Sequence, residues 1–225
     1  MKNYLKLLLF SKNRSMLINQ KISLNDASIE DLKSGLIEVM ENKKYYISIP
    51  FIPEILINKL ITQVSKLNFR KARPLVGNNV TQDFEVCFPA PREDAIDILA
   101  RSIEKLFTET LKLMNNPPIL KPTFNDIAIQ RYLPNSVGIS PHKDHKKYSS
   151  VIIIVTLSGS SNFCLCDDRN GSNSYILNDK PGNIVILPAT GFKMLNIDYE
   201  RPLHFVNKIT TGRLSIGLRQ NSEII

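Results

Sequence analysis

Residues 140–149 read Ser140-Pro141-His142-Lys143-Asp144-His145-Lys146-Lys147-Tyr148-Ser149 and lead into the apolar series Val151-Ile152-Ile153-Ile154-Val155. His142 and Asp144 are two apart, so on extended backbone their side chains share a face, and an imidazole nitrogen and a carboxylate oxygen can meet at one metal ion. His145 has the opposite parity and points away from that pair. A third ligand must come from elsewhere, and the remaining histidine is His204, in Arg201-Pro202-Leu203-His204-Phe205-Val206. Two imidazoles and one carboxylate on one face, with further positions left open, suit non-haem Fe(II). His142, Asp144 and His204 are therefore the candidate metal ligands.

Short β-type segments surround this stretch: 124–132, 150–157, 162–166, 174–177, 183–187, 203–207 and 213–220. Turn signals separate them, including Asp168-Arg169-Asn170-Gly171 and Lys180-Pro181-Gly182. Many short strands at close spacing predict a sandwich or barrel, here a jelly roll over 119–225.

The preceding segment, 25–118, has helical periodicity. Ser28 is the expected N-cap of a first helix with Ile29, Leu32, Leu36, Ile37 and Met40 on one face. Pro53 opens a second, with Leu56, Ile57, Leu60, Ile61 and Val64. The longest runs from Asp94 to Asn115, with Ile96, Leu99, Ile103, Leu106 and Phe107 at helical spacing. Between the second and third, Arg70, Lys71 and Arg73 precede a Gly-Asn turn, and 81–89 read as one strand, so this basic hairpin is either a solvated surface hairpin, the default, or a substrate-facing loop, and the sequence does not decide between them. Helices first and strands second make one α+β unit, a β core with N-terminal supporting helices.

Composition limits the rest. With 43% hydrophobic and 22% charged residues among 225, the chain can bury a full core and is not a disordered polymer. A net charge of +8 favours anionic partners through long-range steering. Three cysteines without a Cys-x-x-Cys pair argue against a disulfide framework and for a reducing, cytoplasmic compartment. No apolar run reaches the length of a membrane span. Residues 1–24 form a basic extension with a short leucine cluster, expected to pack on the body.

Taken together, Phe124-Asn125 to Tyr132, Pro134-Asn135-Ser136-Val137-Gly138-Ile139-Ser140-Pro141-His142-Lys143-Asp144-His145, a strand ending Thr156-Leu157-Ser158-Gly159, Pro181-Gly182-Asn183-Ile184-Val185-Ile186-Leu187, a distal His204-Phe205-Val206 and Gly212-Arg213-Leu214-Ser215-Ile216-Gly217-Leu218-Arg219 resemble the Fe(II)/2-oxoglutarate dioxygenases, and among them the AlkB-like branch. The likeness runs from about Asn115 to Asn221. It implies a jelly-roll core, iron, and 2-oxoglutarate and O2 as co-substrates, with hydroxylation of a C–H bond or oxidative demethylation of an alkylated base. Asp144 fills the third ligand position with a carboxylate, so hydroxylation is expected over halogenation. The resemblance also implies co-substrate contacts. Arg213 would meet the far carboxylate, a role suited to a guanidinium that stays charged when buried. Ser215 would add a hydroxyl, Arg219 would be the second arginine of that strand, and Tyr132 and Asn125 would match the branch's Tyr and Asn.

The chain departs from that branch outside the iron core. It has no Trp, shows no equivalent of the aromatic, Pro-Arg-containing lid that holds a flipped base, and carries Ser215 where Asn is common. Two substrate classes follow: nucleic acid, supported by the resemblance and the charge, and a small metabolite or amino-acid-like molecule, supported by the missing lid. A jelly-roll binding module without turnover is a third reading, opposed by the joint presence of the triad and Arg213.

Overall fold

The computed structural model describes residues 26–77, 79–195 and 201–224. The basic extension over 1–24 lies outside them. Among the described residues three helices, α1 (Asp26–Met40), α2 (Glu54–Val64) and α3 (Asp94–Lys112), precede most of the sheet structure.

Two antiparallel sheets form the β core. The larger contains β1 (Ile47–Pro50), β2 (Arg70–Lys71), β5 (Glu85–Cys87), β6 (Asp126–Tyr132), β8 (Tyr148–Gly159), β11 (Asn183–Pro188) and β13 (Arg213–Asn221), in the order β1-β11-β8-β13-β6-β5-β2. The smaller contains β3 (Leu75–Val76), β4 (Val80–Asp83), β7 (Gly138–His142), β9 (Asn162–Cys166), β10 (Tyr175–Ile176) and β12 (Leu203–Asn207), in the order β10-β9-β12-β7-β4-β3. This is the expected jelly-roll arrangement with helical support.

The period of two in each central strand explains the layering. On β8, Val151, Ile153 and Val155 join the cluster that packs under the helices, while Ile152 and Ile154 join the cluster between the sheets. On β11, Ile184 and Ile186 go to the helix side and Val185 and Leu187 to the inter-sheet side. Strands buried on both faces read as unbroken apolar runs, which is why 151–155 shows no alternation. The helices supply Leu32, Leu36, Leu60, Ile96, Leu99, Ile103 and Phe107 to the first cluster. Each such side chain contributes about 1.5–3 kcal/mol by leaving water, so the helix layer fixes the sheet that carries the site. Arg92 ties the two layers together, pairing with Glu104 of α3 at 2.9 Å and donating to the carbonyl of Phe124 at 2.5 Å just before β6.

Two expectations are corrected. The first helix is already formed at Asp26, so Ser28 is a buried residue within it and not its cap. The segment 81–89 is not one strand. Gln82 and Asp83 pair with Ile139 and Gly138 in the smaller sheet, whereas Glu85, Val86 and Cys87 pair with Arg131, Gln130 and Ile129 in the larger. Between them Phe84 turns into the inter-sheet core, its ring 4.9 Å from that of Tyr132. Burial of that one aromatic carries the chain from sheet to sheet. The other arm of the hairpin does the same through β2, which pairs with β5, and β3, which pairs with β4.

Candidate active site

Antiparallel pairing of β7 with β12 sets His142 directly opposite His204, with ring centroids 4.3 Å apart. Nδ1 of His142 lies 2.9 Å from the carbonyl of Ser140, and Nδ1 of His204 lies 3.2 Å from that of Pro202. A carbonyl only accepts, so each Nδ1 carries a hydrogen, and in a neutral imidazole that leaves the lone pair on Nε2, the tautomer a metal ligand needs. Burial, reinforced by the neighbouring His204, pushes the His142 imidazole down to about 4, so it is neutral at physiological pH.

Asp144 follows the end of β7, with Oδ2 3.3 Å from Nε2 of His204. That oxygen is buried and has no hydrogen-bond partner. Its companion Oδ1 accepts from Nε of Arg219 at 3.1 Å. Burial alone would favour the neutral acid, but the Arg219 guanidinium, helped by the His204 contact, outweighs it and holds the carboxyl well below the usual carboxylate range. An ionised oxygen left without a donor and two imidazoles with open Nε2 atoms make a donor set that fits Fe(II). Among the described residues no three such side chains are already drawn together as a closed metal cluster. His145 is exposed, its Nδ1 accepts from the backbone N–H of Lys147, and it lines a small cavity together with Asp144 and His204.

The second half of the site is one face of β13. Leu214, Ile216 and Leu218 face the helix layer, which leaves Arg213, Ser215, Gly217 and Arg219 facing the inter-sheet space. Arg213 is only 3% exposed. Its Nη1 donates to Oγ of Ser215 at 2.7 Å, and its Nη2 donates to Oγ1 of Thr156 at 2.8 Å and to Oδ2 of Asp179 at 3.0 Å. Its buried Nε has no partner. The Tyr132 ring centroid lies 5.8 Å from the guanidinium carbon of Arg213, and burial raises the Tyr132 phenol to about 12. Gly217 leaves the space that Arg219 occupies, since a Cβ there would lie 2.7 Å from Nη1 of Arg219.

No protein-family model matches the sequence, and no curated protein matches it significantly. Solved structures do match. A prolyl hydroxylase from Trichoplax adhaerens, in complex with a hypoxia inducible factor oxygen degradation domain peptide fragment, superposes with a TM-score of 0.63 at 13% identity, covering 88% of this chain and 92% of that one. An oxidoreductase of the 2OG-Fe(II) oxygenase family from Burkholderia pseudomallei gives a TM-score of 0.58 at 15% identity, covering 89% and 96%. The fold is that of the 2OG-Fe(II) oxygenases. OsALKBH1 gives a TM-score of 0.58 at 11% identity, covering 78% of this chain and 98% of that one. Prolyl hydroxylases and an ALKBH1 thus share this 2OG-Fe(II) oxygenase fold with the chain to similar degrees, and the likeness does not single out the AlkB-like branch.

Within this oxygenase fold the structure brings together most of the residues read from the sequence. His204 neighbours both His142, ring to ring at 4.3 Å, and Asp144, at 3.3 Å, while Arg213, Ser215 and Tyr132 lie together on β13 and β6. Arg219 stands against the aspartate, held over the ring of Tyr148 at 5.3 Å. Asn125 is placed elsewhere. Its amide donates to the carbonyls of Asn221 and Ile224, and its Oδ1 accepts from the N–H of Asn221, so its groups are taken up in pinning the end of β13 to the start of β6. Three residues near the arginines went unread in the sequence: Thr156, Asp179 and Tyr148. Thr156 had a signal, because on β8 it has the parity of Ile152 and Ile154 and is the first polar residue after them on that face.

A cavity of about 330 Å³ reaches Asp144, Tyr148 and Arg219 and is walled by the 70–88 hairpin and β6, with Arg70 and Arg73 at the hairpin and Phe84, Val86 and Phe88 as apolar lining. Lys71, Lys143, Lys146 and Lys147 are not among its lining residues. No helix among the described residues is long and apolar enough to cross a membrane.

Proposed function

We propose that this chain is an Fe(II)- and 2-oxoglutarate-dependent dioxygenase, AlkB-like in its two-arginine strand, that oxidises a C–H bond of an anion-bearing substrate. The observation that carries the reading is the ionised, donor-free Oδ2 of Asp144 facing Nε2 of His204, beside a strand face bearing two buried arginines. His142, Asp144 and His204 would hold the metal. Iron with 2-oxoglutarate and O2 supplies oxidative decarboxylation to succinate and CO2 and delivery of an oxygen atom to the substrate.

The protein's own contribution is positional. Arg219 fixes the orientation of Asp144 and keeps it ionised. The carbonyls of Ser140 and Pro202 fix both imidazole tautomers. Arg213, with Ser215 and Thr156, presents a desolvated cation to the far carboxylate of the co-substrate, and Tyr132 walls that end of the pocket. Phe84, Val86 and Phe88 give the 330 Å³ cavity an apolar wall for the target group, while Arg70 and Arg73 at the hairpin attract a phosphate or carboxylate. On an N-methyl group, hydroxylation would give a hemiaminal that loses formaldehyde, the outcome for an alkylated nucleobase.

A second reading, a small anionic metabolite, is favoured by cavity size, since 330 Å³ sits at the low end of the roughly 300–1,000 Å³ of small-molecule pockets. The decisive experiment measures succinate formed from 2-oxoglutarate in the presence of Fe(II), with a methylated single-stranded oligonucleotide and with carboxylated metabolites in parallel. Succinate formation that needs Fe(II) and disappears in His142→Ala, Asp144→Ala and His204→Ala, but persists in His145→Ala, is the expected result. Undiminished turnover in any of those three variants would remove the ligand assignment.

A further inference from the structure

Asp179 lies in the turn between β10 and β11, far in sequence from Arg213, yet its Oδ2 accepts from Nη2 of Arg213 at 3.0 Å and from the hydroxyl of Thr156 at 2.8 Å. A guanidinium receives a carboxylate in bidentate fashion through one of two edges, Nε with Nη2 or Nη1 with Nη2. Both edges require Nη2. In this structure Nη2 donates to Thr156 and Asp179, Nη1 serves Ser215, and Nε is left buried and unpartnered. The arginine proposed to bind the co-substrate tail therefore already holds a carboxylate of the chain itself.

We infer that Asp179 is an internal competitor for the Arg213 site, one that an incoming dicarboxylate must turn out of the fork, and that it thereby sets the affinity for the co-substrate. The inference rests on the proposed role of Arg213. Asp179 is on a loop with its side chain 13% exposed, whereas Arg213, at 1%, and Thr156 are fixed on buried strands. The loop backbone need not move with it. The carbonyl of the preceding residue, Asn178, is anchored by the Nδ2 of Asn183, and the N–H of Asp179 donates to the carbonyl of Leu177. A swing of one side chain is enough. Two carboxylates beside one buried guanidinium repel each other, so the resident anion weakens the binding of a second one and has little effect on a 2-oxo acid that lacks the distal carboxylate.

The test uses the full chain loaded anaerobically with Fe(II), titrated with 2-oxoglutarate and, separately, with 2-oxopentanoate, and read by metal-to-ligand charge-transfer absorbance. Asp179→Asn is expected to tighten 2-oxoglutarate binding by about tenfold or more, the scale of one like-charge contact in a partly buried site, and to leave 2-oxopentanoate within about twofold. Asp179→Ser, which removes the charge with a smaller side chain, should likewise tighten 2-oxoglutarate and leave 2-oxopentanoate within about twofold, and guards against a fold defect peculiar to one variant. Unchanged or weaker 2-oxoglutarate binding in both variants would overturn the inference and make Asp179 a strut that orients Arg213. Arg213→Met separates the underlying reading: if it leaves 2-oxoglutarate affinity intact, the tail carboxylate is held elsewhere, and the role of Arg213 falls whatever the Asp179 variants do.

Discussion

Replacing Arg219 with Met removes the partner of a buried carboxylate without removing a ligand. In the structure Nε of Arg219 and Oδ1 of Asp144 are 3.1 Å apart, and the two side chains are 11% and 13% exposed. Unit charges about 4 Å apart interact by about 4 kcal/mol at an effective dielectric of about 20, and breaking one side of such a pair typically costs about 3–5 kcal/mol because the other charge is stranded. For a chain of this size about 1 kcal/mol shifts Tm by roughly 2–4 °C, so the metal-free Arg219→Met protein should melt roughly 10 °C below wild type. Redox-inert Mn(II) offers the stranded carboxylate a new cation. Saturating Mn(II) should therefore raise the Tm of the variant by more than it raises that of wild type, narrowing the gap. The assay is thermal unfolding followed by far-UV circular dichroism with and without Mn(II). A metal-free Tm within about 2 °C of wild type, or a Mn(II) increment no larger than wild type's, would refute the claim that Arg219 is the counter-ion of a metal-binding aspartate.

Gly217→Ala places a methyl group against Nη1 of Arg219 and should shift that side chain off Asp144, weakening Mn(II) binding several-fold, measured by electron paramagnetic resonance, while the fold persists by circular dichroism. Arg70→Glu with Arg73→Glu should weaken binding of a single-stranded oligonucleotide and flatten its salt dependence if phosphates enter at the hairpin, read by fluorescence anisotropy across a salt series; an unchanged slope would favour the metabolite substrate. Alkaline titration should leave Tyr132 protonated beyond the range of an ordinary phenol, as tyrosinate absorbance will report. Because the unfolded chain ionises this phenol near pH 10 and the folded chain only near 12, the unfolded state loses its proton first, and folding stability should fall as pH rises through that window.

What could be read from the chain alone was whatever depends on neighbours in sequence. The parity of Arg213, Ser215 and Arg219 and the 3.6-residue stripes of α2 and α3 are local periodicities, and each held because backbone geometry alone puts such residues on one face, whereas β7 ends at His142 and Asp144 is placed beyond the strand. Residues 151–155 were legible as a buried strand for the same reason, although only the structure showed that helices cover one face and the second sheet the other. The tertiary structure decided everything that depends on register between distant strands. His204 meets His142 because β12 pairs with β7, and Arg213 meets Thr156 because β13 pairs with β8. Asp179 reaches Arg213 from a turn that no local pattern ties to it. The bonds of Asn125 to the backbone of Asn221 and Ile224 could not be read from the chain, because its place at the end of a strand says nothing about which backbone its amide will serve. The hairpin over 70–87 looked like a simple ribbon, since nothing in an alternating pattern reveals that Phe84 will be buried between two sheets and pull the chain across. Strand periodicity fixes which residues face the same way, whereas burial between layers fixes which of them meet.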